Sequence, residues 1–182
     1  GFLLGPAVTA CFERLSLCVE ARTVSTCAKG TGALQRGMLA LGFEPGDGVI
    51  TPSYTYICTK EGMELLRLKP VFVEVNSKTF CVEADAIRKA ITSKTKAIVP
   101  VHLYGHSANM EEIMTNENEH NLFVIEDNAQ AIGSDYYYKN GSSKKTGSIG
   151  TIGCTSFFPS KNLGCYGDGG AICTNDDELA AK

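Results

Sequence analysis

Short β-branched and apolar runs alternate along the chain with stretches in which apolar residues return every three or four positions. The first pattern belongs to strands and the second to helices. Residues 23–27 predict a strand. Residues 31–41 predict a helix, with Ala33, Leu34, Met38 and Leu41 on one face. Gly42 ends that helix, and Pro45-Gly46-Asp47-Gly48 makes a turn. Strands are then expected over 49–52, 70–75, 96–102 and 122–127, with helices over 56–68, 84–91 and 109–120 between them. The 96–102 run is almost continuously apolar, as expected of a strand buried on both faces. The 109–120 helix is weaker, because Asn116-Glu117-Asn118 interrupts it. Residues 154–158 and 170–174 supply a sixth and a seventh strand, and residues 176–182 open a further helix.

Strand–helix alternation at this pitch predicts an α/β fold with a mostly parallel sheet and helices on both faces. Ligands of such sheets bind beyond the carboxyl ends of the strands. With 182 residues, the chain has room for one sizeable core and at most a small second lobe. Its 43% hydrophobic and 20% charged residues are ordinary for a globular protein. A net charge of −3 argues against a nucleic-acid partner, which would need clustered Lys and Arg. Lys144-Lys145 reads as a solvated loop. No apolar run approaches the ~18 residues of a membrane span. Gly1-Phe2-Leu3-Leu4-Gly5-Pro6 lacks a basic segment, so no signal peptide is expected. The eight cysteines form no CxxC pair, which argues against a structural zinc, and most read as small buried thiols of a cytosolic protein.

Polar and glycine-rich groups fall where parallel strands should end. Ala28-Lys29-Gly30-Thr31-Gly32 follows the first strand and opens a helix. Its backbone N–H groups and helix dipole suit a phosphate, or the segment is a plain turn. Glu126-Asp127-Asn128-Ala129-Gln130 follows the fifth strand. Asp127 there suits a cationic ring nitrogen or a metal, or serves as a helix N-cap. Lys161 follows the sixth strand inside Ser156-Phe157-Phe158-Pro159-Ser160-Lys161-Asn162-Leu163-Gly164. A lysine held there and partly desolvated becomes nucleophilic toward a carbonyl; otherwise it is a surface loop lysine. Cys165 lies close by as a candidate reactive thiol. His102 ends the fourth strand and either faces the site or is structural, while His106 and His120 read as solvated. No His, Cys and carboxylate cluster has metal-ligand spacing, and no GxSxG motif is present.

Together these segments resemble the DegT/DnrJ/EryC1/StrS family of PLP-dependent sugar aminotransferases, where PLP is pyridoxal 5'-phosphate. The matching stretches are Gly30-Thr31-x-Ala33-Leu34, the run from Pro45 to Ser53, the run from Pro100 to Gly105, and Val124-Ile125-Glu126-Asp127-x-Ala129-Gln130-Ala131. Ser156 to Gly164 and Tyr166 to Ala171 complete them, in the family's order.

The resemblance implies the large domain of a fold-type-I PLP enzyme: three layers and a seven-stranded, mostly parallel sheet whose last strand runs antiparallel. It implies that Lys161 holds the cofactor as a Schiff base and moves the proton during transamination. Asp127 would pair with the ring nitrogen and Gln130 would sit by the ring's phenolic oxygen. Tyr56 would stack on the ring. Gly30, Thr31 and Ser156 would hold the phosphate. Glutamate or glutamine would give the amino group, and a keto group on a nucleotide-linked sugar would take it, as in polysaccharide biosynthesis. A homodimer is implied as well; the cysteines, the charge and the lack of a long apolar run separately give the expectation of a cytoplasmic protein without membrane or nucleic-acid partners. A lysine-retaining sugar dehydratase of the same family is the close alternative, and a non-catalytic binding module the distant one.

Two departures stand out. Lys29 and Gly32 occupy positions where the family has Asn or Ser and a non-glycine residue. Gly32 costs the helix up to about 1 kcal/mol relative to Ala. Family members are also a good deal longer. The expectation is therefore a PLP-binding large domain over 1–182, cut short at its C-terminus and lacking the small domain.

Overall fold

The computed structural model describes residues 5–182, so the signal-segment expectation falls partly on residues 1–4, outside the described residues. The elements, numbered in chain order, begin with α1 Pro6–Val19, β1 Thr23–Cys27, α2 Gly30–Ala40, β2 Gly48–Pro52 and α3 Cys58–Leu65. Next come β3 Lys69–Val73, α4 Ala84–Ala90, β4 Thr95–Ile98, α5 Met110–His120 and β5 Phe123–Asp127. A small hairpin of β6 Asp135–Tyr137 and β7 Ser143–Lys145 precedes β8 Ile152–Ser156, β9 Gly170–Thr174 and α6 Asp177–Ala180.

Seven strands form one sheet in the order β1-β9-β8-β5-β4-β2-β3. All run parallel except β9, which is antiparallel to both β1 and β8. Successive side chains leave a strand on opposite faces, so each central strand feeds two cores. Ile50, Ile98 and Val124 point to the side covered by α4 and α5, where they meet Ile87, Met110 and Ile113. Val49, Ala97, Val99, Ile125 and Ile152 point to the other side, against Leu34 and Met38 of α2 and Met63 of α3. At the β1 end, Val24, Ala171 and Cys173 pack on Leu15 and Val19 of α1. Each fully buried Ile, Val or Leu contributes about 1.5–3 kcal/mol. The predicted three-layer α/β architecture, including the antiparallel last strand, is the one observed.

Several elements differ from expectation for identifiable reasons. The 96–102 strand ends at Ile98 as a continuous ladder, since Pro100 has no N–H; a lone bridge from Val101 to Asp127 continues it. The helix expected from residue 56 starts at Cys58, with Tyr56 and Ile57 in the entering turn. The sixth strand begins at Ile152, two residues early. The helix α5 is not interrupted at Asn116, which is fully buried and donates from Nδ2 to the Ala84 carbonyl at 3.0 Å, tying α5 to α4. Lys144 and Lys145 are not loop residues. They lie in β7, where Lys145 Nζ pairs with Asp135 at 2.8 Å. Of the cysteines, only Cys81, Cys154 and Cys173 are buried; Cys11, Cys18 and Cys165 are exposed.

Two glycine substitutions should move stability in opposite directions. A Cβ at Gly153 would lie 1.9 Å from the Gly147 carbonyl oxygen, so Gly153→Ala should cost about 3 kcal/mol or more. A Cβ at Gly32 would meet only Lys29 Cγ, at 3.8 Å, so Gly32→Ala should gain about 0.5–1 kcal/mol. Urea unfolding of the two variants checks both signs.

Candidate active site

The first turn of α2, the end of β5, the end of β8, the loop 157–169 and the turn entering α3 meet around one cavity of about 460 Å³. It sits beyond the carboxyl ends of the parallel strands. All seven residues singled out from the sequence, Gly30, Thr31, Tyr56, Asp127, Gln130, Ser156 and Lys161, line it.

Asp127 is the last residue of β5 and only 6% exposed. Its Oδ2 accepts from Thr59 Oγ1 at 2.8 Å and its Oδ1 from the Ala129 N–H at 3.2 Å. Burial pushes the Asp127 carboxyl up, against those two hydrogen bonds and the Lys161 charge. Thr59, on α3, is a site residue that the sequence reading missed. Its only signal is a buried hydroxyl position on a helix face otherwise packed by Met63 and Gly62.

At the other wall, α2 begins with no residue between it and β8. A Cβ on Gly30 would fall 2.6 Å from Ser156 Cβ, so only glycine lets the helix start approach that closely. Ser156 is 8% exposed, and its Oγ accepts a long bond from the Phe158 N–H at 3.4 Å. Gln130 Oε1 accepts from the Tyr104 N–H at 3.0 Å, which fixes its amide at the cavity rim. Tyr56 is 66% exposed there. Lys161 lies half-buried on the loop 157–169 and donates its backbone N–H to the Phe158 carbonyl at 2.8 Å. The base of that loop is closed by Phe157 N–H to Gly169 O and Cys165 N–H to Phe157 O, both 2.8 Å. Cys165 is exposed and its thiol donates to the Gly167 carbonyl at 3.2 Å; it is not among the cavity-lining residues. Cys154 lies on the cavity floor, where burial pushes its thiol far up and keeps it protonated.

His102 does not enter the site. It is fully buried behind it, with Nε2 at 2.8 Å from Glu126 Oε2. The Ala108 N–H donates to its Nδ1, so the ring proton is on Nε2 and His102 donates to Glu126. Glu126 also accepts from the N–H groups of Gly147, Ile149 and Gly150 at 2.8, 2.7 and 2.6 Å. Burial pushes the Glu126 carboxyl up, but the bonds from His102 and the backbone outweigh it and hold the group below the usual range. His106 and His120 are exposed, as expected. Among the described residues no group of His, Cys, Asp and Glu could hold a metal, and no helix is long and apolar enough to cross a membrane.

Comparison with known proteins adds to this geometry. The DegT/DnrJ/EryC1/StrS aminotransferase family matches residues 2–182. The chain belongs to this family. A UDP-2-acetamido-2-deoxy-3-oxo-D-glucuronate aminotransferase of Pseudomonas aeruginosa is 48% identical over 179 residues, covering 98% of this chain and 48% of the relative. The solved structure of S. venezuelae DesV in complex with a ketimine intermediate superposes with a TM-score of 0.91 at 38% identity, over 98% of this chain and 47% of that one. That of ntda from Bacillus subtilis with bound cofactor PMP gives a TM-score of 0.88 at 38% identity, over 97% and 39%. The chain of this DegT/DnrJ/EryC1/StrS family member thus spans about half the length of the relatives it matches.

The Glu126 network makes a stability prediction with a definite sign. A carboxyl held low in the folded state contributes stability that is full above the ordinary value of about 4.5 and is lost as pH falls through the lower folded value. Glu126→Gln should cost about 1–3 kcal/mol at neutral pH, because the amide NH2 would face donors that lose their acceptor. The gap from wild type should close as the solution is taken below about pH 4. Urea unfolding at stepped pH reads it. A gap independent of pH would remove the charge from the explanation.

Proposed function

We propose that this chain is the PLP-binding large domain of an aminotransferase that moves an amino group from glutamate or glutamine to a keto group of a nucleotide-linked sugar. The carrying observation is the convergence of three chemically different groups on one cavity: buried Asp127, the α2 start with Ser156, and the Lys161 amine. Asp127 supports the cofactor reading most directly. A buried carboxylate whose ionisation is disfavoured is complemented by a cation, and a protonated ring nitrogen is one. The α2 start offers free backbone N–H groups to a phosphate, and Thr31 and Ser156 add hydroxyls. These residues fit PLP.

When bound, PLP supplies a carbonyl that carries nitrogen and a ring that accepts electrons. The chain's residues do the rest. Asp127 would hold the ring proton in place, with Thr59 Oγ1 holding Asp127. Gln130 would lie by the ring oxygen, and Tyr56 would cover one ring face. Lys161 Nζ would tether the cofactor and carry the proton in the transfer. The Pseudomonas aeruginosa relative's substrate, a UDP-linked 3-oxo sugar, supports the acceptor class. Exposed Tyr54, Tyr56, Ile57, Phe158, Leu163 and Tyr166 gather on segments bordering the cavity, which supports a homodimer closing over it. Eight free cysteines support a cytoplasmic setting.

The test is spectroscopic. PLP added to the purified protein should give an absorbance band near the visible edge that is absent from Lys161→Ala. Glutamate should then bleach it. Asp127→Asn should retain the band and slow bleaching by about 100-fold or more. No band in wild type would sink the cofactor reading, and a band that glutamate leaves intact would sink the aminotransferase reading.

A further inference from the structure

The residue at the start of α2 is the wrong one for a helix that stands alone. Helix starts favour Ser, Thr, Asp or Asn, whose side chains accept from first-turn N–H groups, and acidic residues in the first turn. Here the N-cap is Lys29, which makes no side-chain cap, and the first turn of this eleven-residue helix carries no acid. The N–H groups of Gly30, Thr31 and Gly32 take no hydrogen-bond acceptor among the described residues, the first intrahelical bond being Ala33 N–H to the Lys29 carbonyl. A cation beside the positive end of a helix dipole with three bare donors is unfavourable by itself. It becomes favourable when an anion sits between them.

Four further observations say where that anion belongs. Lys29 lines the same cavity as Gly30, Thr31 and Ser156. Its side chain runs back over the first turn rather than away from it: Lys29 Cγ lies 3.8 Å from where a Cβ on Gly32 would be. The two departures from the family pattern therefore meet in space, and Gly32 leaves the lysine stem uncrowded. Ser156, more than nine-tenths buried, faces the cavity with a hydroxyl proton that finds no acceptor among the described residues. Lys29 has no ion pair within 4.0 Å among those residues, although Asp168 lines the cavity too.

We infer that Lys29 is an additional phosphate-binding residue, supplying from within the same chain a cation that pairs with the cofactor's phosphate over the bare first turn of α2. This rests on the cofactor reading above. No bond to carbon forms or breaks in this role. Lys29 Nζ donates to a phosphate oxygen, as do the first-turn N–H groups, and the site gains a charge that Asn or Ser would not give.

The experiment compares PLP with pyridoxal, which has the same ring and aldehyde but no phosphate. Binding of each to the cofactor-free protein is measured by ultrafiltration for wild type, Lys29→Ala and Lys29→Arg, at low and high salt. Lys29→Ala should weaken PLP binding about tenfold and leave pyridoxal binding unchanged. Lys29→Arg should stay near wild type, and the alanine defect should shrink in high salt. Equal PLP affinity in wild type and Lys29→Ala would overturn the inference and leave the cofactor reading standing; it would also be the outcome if Lys29 served a substrate diphosphate instead. Equal loss of PLP and pyridoxal would overturn it in favour of a distorted helix start. A wild type that binds neither compound overturns the cofactor reading, and this inference with it.

Discussion

The Glu126 carboxylate accepts four hydrogen bonds in a space with no solvent-accessible surface: one from His102 and three from the backbone of 147–150. A charge so buried is tolerable only when it is fully bonded. Meeting that condition joins three segments distant in sequence. The end of β5 provides the acid. The chain leaving β4 provides His102, itself held by the Ala108 N–H. The approach to β8 provides the three N–H groups. The edge of the sheet that carries the site is assembled around this one group.

Because residues alternate along a strand, fixing Glu126 on one face of β5 fixes Asp127 on the other, toward the cavity. The two neighbours then experience opposite electrostatics. Glu126 has more donors than burial can offset, so it is held as an anion. Asp127 has only two donors against its burial, so its ionisation is disfavoured until a cation arrives. Adjacent carboxyls with protonation driven apart by their surroundings commonly mark a division between support and chemistry. Here Glu126 is the support. Asp127 faces the cavity with unused demand for positive charge.

The central strands were legible because both of their faces are buried, which writes an apolar run such as Ala97-Ile98-Val99 directly into the sequence. Six of the seven cavity residues were legible within short motifs at strand ends, although the grouping of those motifs, and Tyr56 itself, came from family resemblance. What was not legible has physical reasons. Only Leu15 and Val19 of α1 are buried, while Leu17 is 80% exposed, so its helical period is faint. The β6–β7 hairpin turns at Asn140-Gly141, an ordinary hairpin signal, but its strands are too short to show alternation. Thr59 and the Glu126–His102 pair depend on contacts across 68 and 24 residues of sequence, which no local pattern records. Asn116 misled because a polar residue on an apolar face reads as a break until its partner, the Ala84 carbonyl, is seen.

The site also divides its parts by rigidity. Asp127 and Ser156 end buried strands, and Gly30 opens a helix pressed against Ser156, so these cavity groups are tied to the core. Lys161 is not. It rides on the loop 157–169, closed at its base but exposed along most of its length from Phe158 to Asp168. Segments with few buried contacts open at low free-energy cost. Under the proposed function, an amine that would hold a carbonyl, release it and then move a proton would need that freedom, whereas groups orienting a ring would lose catalytic value if they moved. The antiparallel return of β9 is what makes the arrangement possible: it ties both ends of the loop to the sheet and leaves the lysine between them free to turn over a fixed cavity.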